Sequence, residues 1–312
     1  MTSSYALLMQ VRKLIAHGPS SLTVALPYKW VKKHKLGKGD VIHIDEDDSG
    51  LHVTAQPMER VRSITVDITG YDWPGTVSLL TTIYRRGYDE VRIRYSAAGE
   101  YQNVSSSVRL LLGFAIMENK KGSCLVKSLP TQMEQDFSTL FRRVFLILLQ
   151  ELDDLSEIVS DEEALKSFYH RDADLNAIVN LALRMISKGY VQDHFDELHF
   201  FHALLVLEEC GDDITRFTIE VCEQKDALKL KETVMHSSKM LRLLYDSYFQ
   251  KKGNIMEFYK RYYLYWPDAK KSKAPVYEHF SNQKGKGIFY LRSIVEKVIQ
   301  LAEILLLEKI EE

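Results

Sequence analysis

What the 312-residue chain lacks narrows its reading first. Its three cysteines, Cys124, Cys210 and Cys222, fit neither a disulfide framework nor a CxxC metal site, which suits a reducing compartment. No run approaches the ~20 consecutive apolar residues of a membrane span. The longest apolar stretches, 141–149 and 299–307, are interrupted by charges at helical spacing. No signal pattern marks the N-terminus, so the expectation is a cytoplasmic protein without a transmembrane segment. G-x-S-x-G, P-loop, G-x-G-x-x-G and HExxH motifs are all missing, and the chain reads as non-enzymatic. A net charge of −2 gives no general excess of positive charge with which to coat nucleic acid. DNA binding would have to come from a local patch.

Such a patch exists. Between Arg12 and Lys38 stand seven Lys/Arg residues and no carboxylate, and the acids gather afterwards at Asp45–Asp48. Alternation of Leu22, Val24 and Leu26 predicts a strand over 21–26. Pro27 suits the first turn of a short helix, with Trp30, Val31 and Leu36 inward and Lys29, Lys32, Lys33 and Lys35 outward. Gly37 and Gly39 are expected to end it. Strands follow over 40–44 and 51–54, with a turn at 48–50. Arg12, Lys13, Lys29, Lys32 and Lys33 are candidate phosphate-binding residues; the alternative is a solvated helix face. A piece of about fifty residues buries too little surface to stand alone. It must be completed by the rest of the chain or by a second copy.

From 60 to 129 strand and helix patterns alternate, predicting a small α+β domain in the order β-α-β-α-β-β. Ile64, Val66 and Ile68 mark one strand, and Val91, Ile93 and Tyr95 another. A helix runs from Asp72 to Gly87, a second through Val104, Val108, Leu111 and Leu112, and a hairpin closes the domain over 114–129. After Pro130 the pattern is helical. Phe137, Phe141, Val144, Leu148, Leu152, Leu155 and Val159 form one stripe, and further helices are expected over 172–188, 195–221, 227–250, 258–266 and from 287 onward. Two successive three-helix groups result.

The third long helix carries an anomaly. Its inward stripe is read as Leu198, Phe201, Leu205, Glu208, Asp212 and Ile219, which puts two carboxylates on an apolar face. Spacing of four places them together, and Asp172 and Asn176 of the preceding helix offer a counterpart. Buried carboxylates need a partner: either Arg or Lys from a neighbouring helix, or a divalent metal held by Glu208, Asp212 and Asp172. His199 and His202, with Asp196 three residues before the first, have ligand-like spacing but read better as boundary residues. Tyr259, Tyr262, Tyr263, Tyr265 and Trp266 suit packing more than base stacking. Gly285-Lys286-Gly287 reads as a hinge.

These residues carry two resemblances. The run SSLTVALPYKWVKKHKLGKGDVIHI, with its turn at Gly18–Ser21, Leu26-Pro27, Trp30-Val31 and Leu36-Gly37-Lys38-Gly39-Asp40, resembles the AbrB/SpoVT/MazE-type domain. That resemblance implies an all-β swapped-hairpin fold formed only by two interlaced chains. Such domains bind DNA through basic residues of the first strand and its following loop, here Arg12 and Lys13 with Lys29 and Lys33 in support, or serve as antitoxins or plain dimerisers. Thr131 to the end is similar to the PhoU family of paired three-helix bundles. Leu207-Glu208-Glu209-Cys210-Gly211-Asp212 matches its Glu-x-x-x-Asp motif with Gly before the Asp. The family uses paired motifs of this kind to bind metal clusters and regulates phosphate uptake. Here the partner motif is Asp172-x-x-x-Asn176, and in the second bundle Glu296-x-x-x-Gln300 has lost its acid.

The combined expectation is multidomain: a swapped-hairpin domain over 1–57, a small α+β domain over 58–130, and helical bundles over 131–224 and 225–312. This fusion resembles the archaeal phosphate-uptake regulator type. It implies a homodimeric transcription regulator that binds DNA and contacts a partner through its bundles. The alternative is an accessory protein in which the hairpins only dimerise and the bundles contact a phosphate transporter or sensor kinase. A di-metal carboxylate enzyme is the third reading.

Overall fold

The computed structural model describes residues 11–18, 21–47, 50–55, 61–129, 137–157, 162–191, 194–224, 227–250 and 286–306. The expected turn at 48–50 falls partly outside them; Val159, the helix at 258–266 with its aromatic cluster and Gly285 fall wholly outside. The chain divides into two compact units, Met1–Arg60 and Val61–Glu312.

Among its described residues, the first unit has two small antiparallel pairs and one helix. β1 (Ile15–Ala16) pairs with β2 (Leu22–Thr23), and β3 (His43–Asp47) pairs with β4 (Gly50–Thr54). Between them lies α1 (Tyr28–Lys33), entered through Pro27. Trp30, Val31 and Leu36 are partly covered while Lys29, Lys32, Lys33 and Lys35 are exposed, as the helical period predicts. Two expectations change. The helix ends before either glycine, because Lys35 itself takes a left-handed φ of 55°. The strand predicted over 21–26 shrinks to two residues, because its ladder finds no further partner among the described residues. Among the residues of this unit whose exposure is described none is buried, and several apolar side chains face outward, with Leu22 63% and Val41 74% exposed.

The second unit opens with the expected β-α-β-α-β-β order. β5 (Ser63–Asp67), β6 (Glu90–Arg94), β7 (Phe114–Lys120) and β8 (Ser123–Ser128) form a mixed sheet in the order β5-β6-β8-β7, parallel only between β5 and β6. α2 (Trp73–Arg85) and α3 (Ala98–Val108) contribute Leu80, Ile83, Tyr84, Val104 and Val108 to its core, against Val91, Ile93, Cys124 and Val126 of the sheet. Asp72 caps α2 by accepting from the Gly75 N–H at 2.9 Å. Glu100 accepts from the N–H groups of Gly70, Ser96 and Ala97, so it ties the loop after β5 to the start of α3. Those three backbone donors hold its carboxyl at about 2.

Among the described residues, the helical part comprises α4 (Phe137–Leu155), α5 (Glu162–Ser187), α6 (His194–Gln224), α7 (Ala227–Phe249) and α8 (Lys286–Leu306). The described stripe of α4 is buried along its length, as are Leu175, Ile178, Ala182 and Met185 of α5 and Leu291, Ile294, Val298, Leu301 and Leu305 of α8. All five helices share one apolar core. No helix of the described residues is long and apolar enough to cross a membrane.

α6 departs from its predicted stripe. Leu198 is 76% exposed and Phe201 is exposed too, whereas Ala203, Leu204, Leu207, Cys210, Ile214 and Phe217 are buried. α6 packs against both α5 and α8, so the arc it buries is wide and centred elsewhere. Glu208 and Asp212 therefore stand at the flank of the buried face, not in its middle.

Candidate functional site

The site grows from a ridge on α5. Asp172, Asn176, Asn180, Arg184 and Lys188 recur every four residues, the row that packs into a neighbouring helix's groove. On α6 the corresponding row is Glu208, Asp212 and Arg216. The two helices approach where Gly211 meets Leu175: a Cβ at Gly211 would overlap the Leu175 Cδ2. The glycine of the Glu-x-x-x-Asp run is thus what lets the helices close, and it sits beside the residue between Asp172 and Asn176.

The acidic end of this ridge brings three of the predicted site residues, Asp172, Glu208 and Asp212, into one electrostatic group. Burial, then the charges of Asp212 and Glu208, push the Asp172 carboxyl up to about 6, with Arg216 opposing. Asn176 Nδ2 donates to Asp172 Oδ2 at 3.3 Å, and the remaining oxygens, Asp172 Oδ1 and Asn176 Oδ1, are buried without a hydrogen-bond partner. The α6 carboxylates are drawn toward arginines. Arg216 reaches Asp212 at 2.8 Å and Asp213 at 3.2 Å. Arg85, from the last turn of α2, donates from Nη2 to Glu208 Oε1 at 2.5 Å and from Nε to Asn180 Oδ1 at 2.6 Å. Among the described residues, no three His, Cys, Asp or Glu side chains are gathered as a metal site. The expected Arg or Lys partner is present, but for Glu208 it comes from the α+β part, not from a helix of the bundle.

The basic end of the ridge grips that same part. Arg184, 1% exposed, donates to the Tyr84 and Tyr88 carbonyls at 3.1 and 2.7 Å and to Asp89 Oδ1 at 2.8 Å. Its guanidinium also lies over the rings of Tyr84 and Phe114. Lys188 adds contacts to both Asp89 oxygens. Burial acts to raise Asp89, but Lys188, the Arg62 N–H and Arg184 outweigh it and hold the carboxyl below its usual range. The carbonyls that Arg184 takes stand at the negative end of α2. Gly87, at φ 76°, turns the chain there: its N–H returns to Tyr84 and that of Tyr88 to Ile83, a Schellman cap that leaves the Tyr84 and Tyr88 oxygens able to accept a cation.

Other candidates lie elsewhere. His202 Nε2 is 3.0 Å from Gln300 Nε2 of α8, and His199 is exposed. Glu296 pairs with Arg292 of its own helix at 2.9 Å. On the α8 side of α6, Lys297 bonds Asp213, with Glu209 3.8 Å away. Cys124 and Cys210 are buried free thiols, and burial pushes both above the usual range, Cys124 to about 11. Of the basic set, Arg12, Lys13, Lys29, Lys32 and Lys33 are all exposed, and Arg12 and Lys13 precede β1 instead of lying within it. Sequence reasoning misses Arg85, Asn180, Arg184 and Asp89. The spacing-of-four polar row from Asp172 to Lys188 is the signal that points to two of them.

Compared with family models, curated proteins and solved structures, the chain gives no match in any of the three.

Proposed function

We propose that the chain is a dimeric, DNA-binding regulator of phosphate uptake, its first unit an interlaced hairpin domain and its helical part a PhoU-like sensing or partner-binding body. One observation carries this reading: among the residues of the first unit whose exposure is described none is buried, and Ile15, Leu22, Val24, Val41, Ile44 and Leu51 face solvent. So much exposed apolar surface on so small a unit calls for a covering partner, and a second copy of the same unit supplies a complementary one. Residues 24–26 have no ladder partner among the described residues, and interlaced strands would provide one. The exposed cations Arg12, Lys13, Lys29, Lys32 and Lys33 then carry the phosphate contacts. The proposal includes the division of 131–312 into two three-helix bundles, and a cytoplasmic location.

The proposal also places a divalent cation at Asp172, Glu208 and Asp212, with Asn176 as a neutral oxygen donor. An all-oxygen donor set suits a hard cation, and the two buried, unpartnered oxygens give such an ion something to satisfy. Bound there, it would neutralise the carboxylates and fasten α5 to α6.

DNA binding is tested by fluorescence anisotropy against the chain's own upstream DNA across a salt series, with and without phosphate. The wild type should bind with a steep salt slope. Arg12→Ala/Lys13→Ala should flatten that slope by about one for each phosphate no longer neutralised. Wild-type protein that ignores the DNA at low salt sinks the reading.

A further inference from the structure

We infer that Arg85 is a built-in competitor for a divalent cation at the Asp172–Glu208–Asp212 site, so that cation binding and this contact of α2 exclude each other. The inference rests on the cation reading above and adds its control. The guanidinium is set in place by two bonds, to Glu208 at 2.5 Å and to the nearly buried Asn180 at 2.6 Å. A planar fork held this way is a directed contact, unlike a loose surface pair. With Arg216 on Asp212 as well, Glu208 and Asp212 each answer to an arginine while Asp172 Oδ1 and Asn176 Oδ1 go unanswered. The acids are assembled on neighbouring helices but not converged on a common point among the described residues.

A divalent cation that drew the Glu208 carboxylate toward Asp172 would draw it away from Arg85, which holds its Oε1. Guanidinium and metal carry like charge, and at a half-covered position their repulsion is only partly screened. The other contacts of α2 with the helices differ in kind. Arg184 and Lys188 bind Asp89 and backbone carbonyls, none of them a candidate ligand. The cation would therefore release the Arg85–Glu208 attachment, and the α+β part would stay tethered through Arg184 and Lys188. This gives the bundle's ligand a direct mechanical connection to the α+β part.

Calorimetric titration of the full chain with Mn²⁺ tests this in wild type, Arg85→Gln and Glu208→Gln. Arg85→Gln should bind Mn²⁺ about tenfold more tightly, the worth of one charge-assisted contact at a half-exposed position, and Glu208→Gln should lose binding. Hydrogen exchange over residues 79–88 should quicken when wild type is saturated with Mn²⁺ and should already be quick in metal-free Arg85→Gln. Equal Mn²⁺ affinity in wild type and Arg85→Gln overturns the competition while leaving the cation site standing. No Mn²⁺ binding by either overturns the site and the competition together. Should Arg85→Gln fail to fold, Arg85→Lys keeps the charge without the fork; it should bind Mn²⁺ more tightly than wild type by a smaller factor, and wild-type affinity there overturns the inference.

Discussion

Asp172 is an acid held where its charge is unwelcome. Its carboxyl is raised from an ordinary 3.8 to about 6 by burial and by Asp212 and Glu208. The folded state thus binds this proton more tightly than the unfolded chain does. The stability tied to that proton is fully present below about pH 4 and is lost as pH rises through about 6. Asp172→Asn removes the charge, so in metal-free buffer it should stabilise the protein at pH 7.5. The rise corresponds to about 3 kcal/mol, and roughly 1–2 kcal/mol is expected after discounting for the carboxyl's partial contact with water. The gain should vanish near pH 4. Chemical denaturation of both proteins at the two pH values measures it, and a loss of stability at pH 7.5 would contradict the assignment.

Among elements, α5 does the joining. Its ridge meets α6 at the acidic end and the C-terminal end of α2 at the basic end, so one helix connects two parts that a sequence reading treats as separate. Arg184→Met would leave two carbonyls at the end of α2 without their cation and leave Asp89 with Lys188 and the Arg62 N–H. A loss of about 3 kcal/mol is expected, the lower range for breaking a buried pair, because Asp89 keeps those two partners. Urea unfolding measures the loss, and hydrogen exchange should localise it to residues 84–89.

What the sequence makes legible is also decided at this scale. The stripes of α4, α5 and α8 can be read because each buries one regular face. That of α6 cannot, because it packs on two neighbours and its buried arc shifts away from Leu198 and Phe201. Spacing of four sets Glu208 beside Asp212 and Asp172 beside Asn176 on their own helices, and the fold is what brings the two rows into electrostatic reach. Arg85 has no such signal, since nothing local to residues 73–87 says which distant helix its end will meet.

For the whole molecule, the contrast between units is sharpest in where apolar surface goes. The second unit builds its own cores, whereas the first turns Leu22 outward. In an isolated chain, Leu22→Glu would be a surface change costing within about 0.5 kcal/mol. In an interlaced dimer it buries a charge without a partner. Sedimentation velocity at micromolar concentration should find the wild type dimeric and Leu22→Glu monomeric. A folded wild-type monomer under the same conditions would remove the dimer from the proposal.

The four-residue row on α5 has one further consequence, which no single substitution would expose. An α-helix advances about 100° per residue. One alanine inserted between Asn176 and Asn180 would leave composition, charge and helical propensity almost untouched. It would nonetheless swing Arg184 and Lys188 a quarter-turn or more from Asp89 while Asp172 and Asn176 kept their places. The length of α5 between its two ends is therefore as much a constrained quantity as any side chain on it. Chains that share this design should keep the number of residues over 177–183 fixed even where a conservative change of residue is accepted.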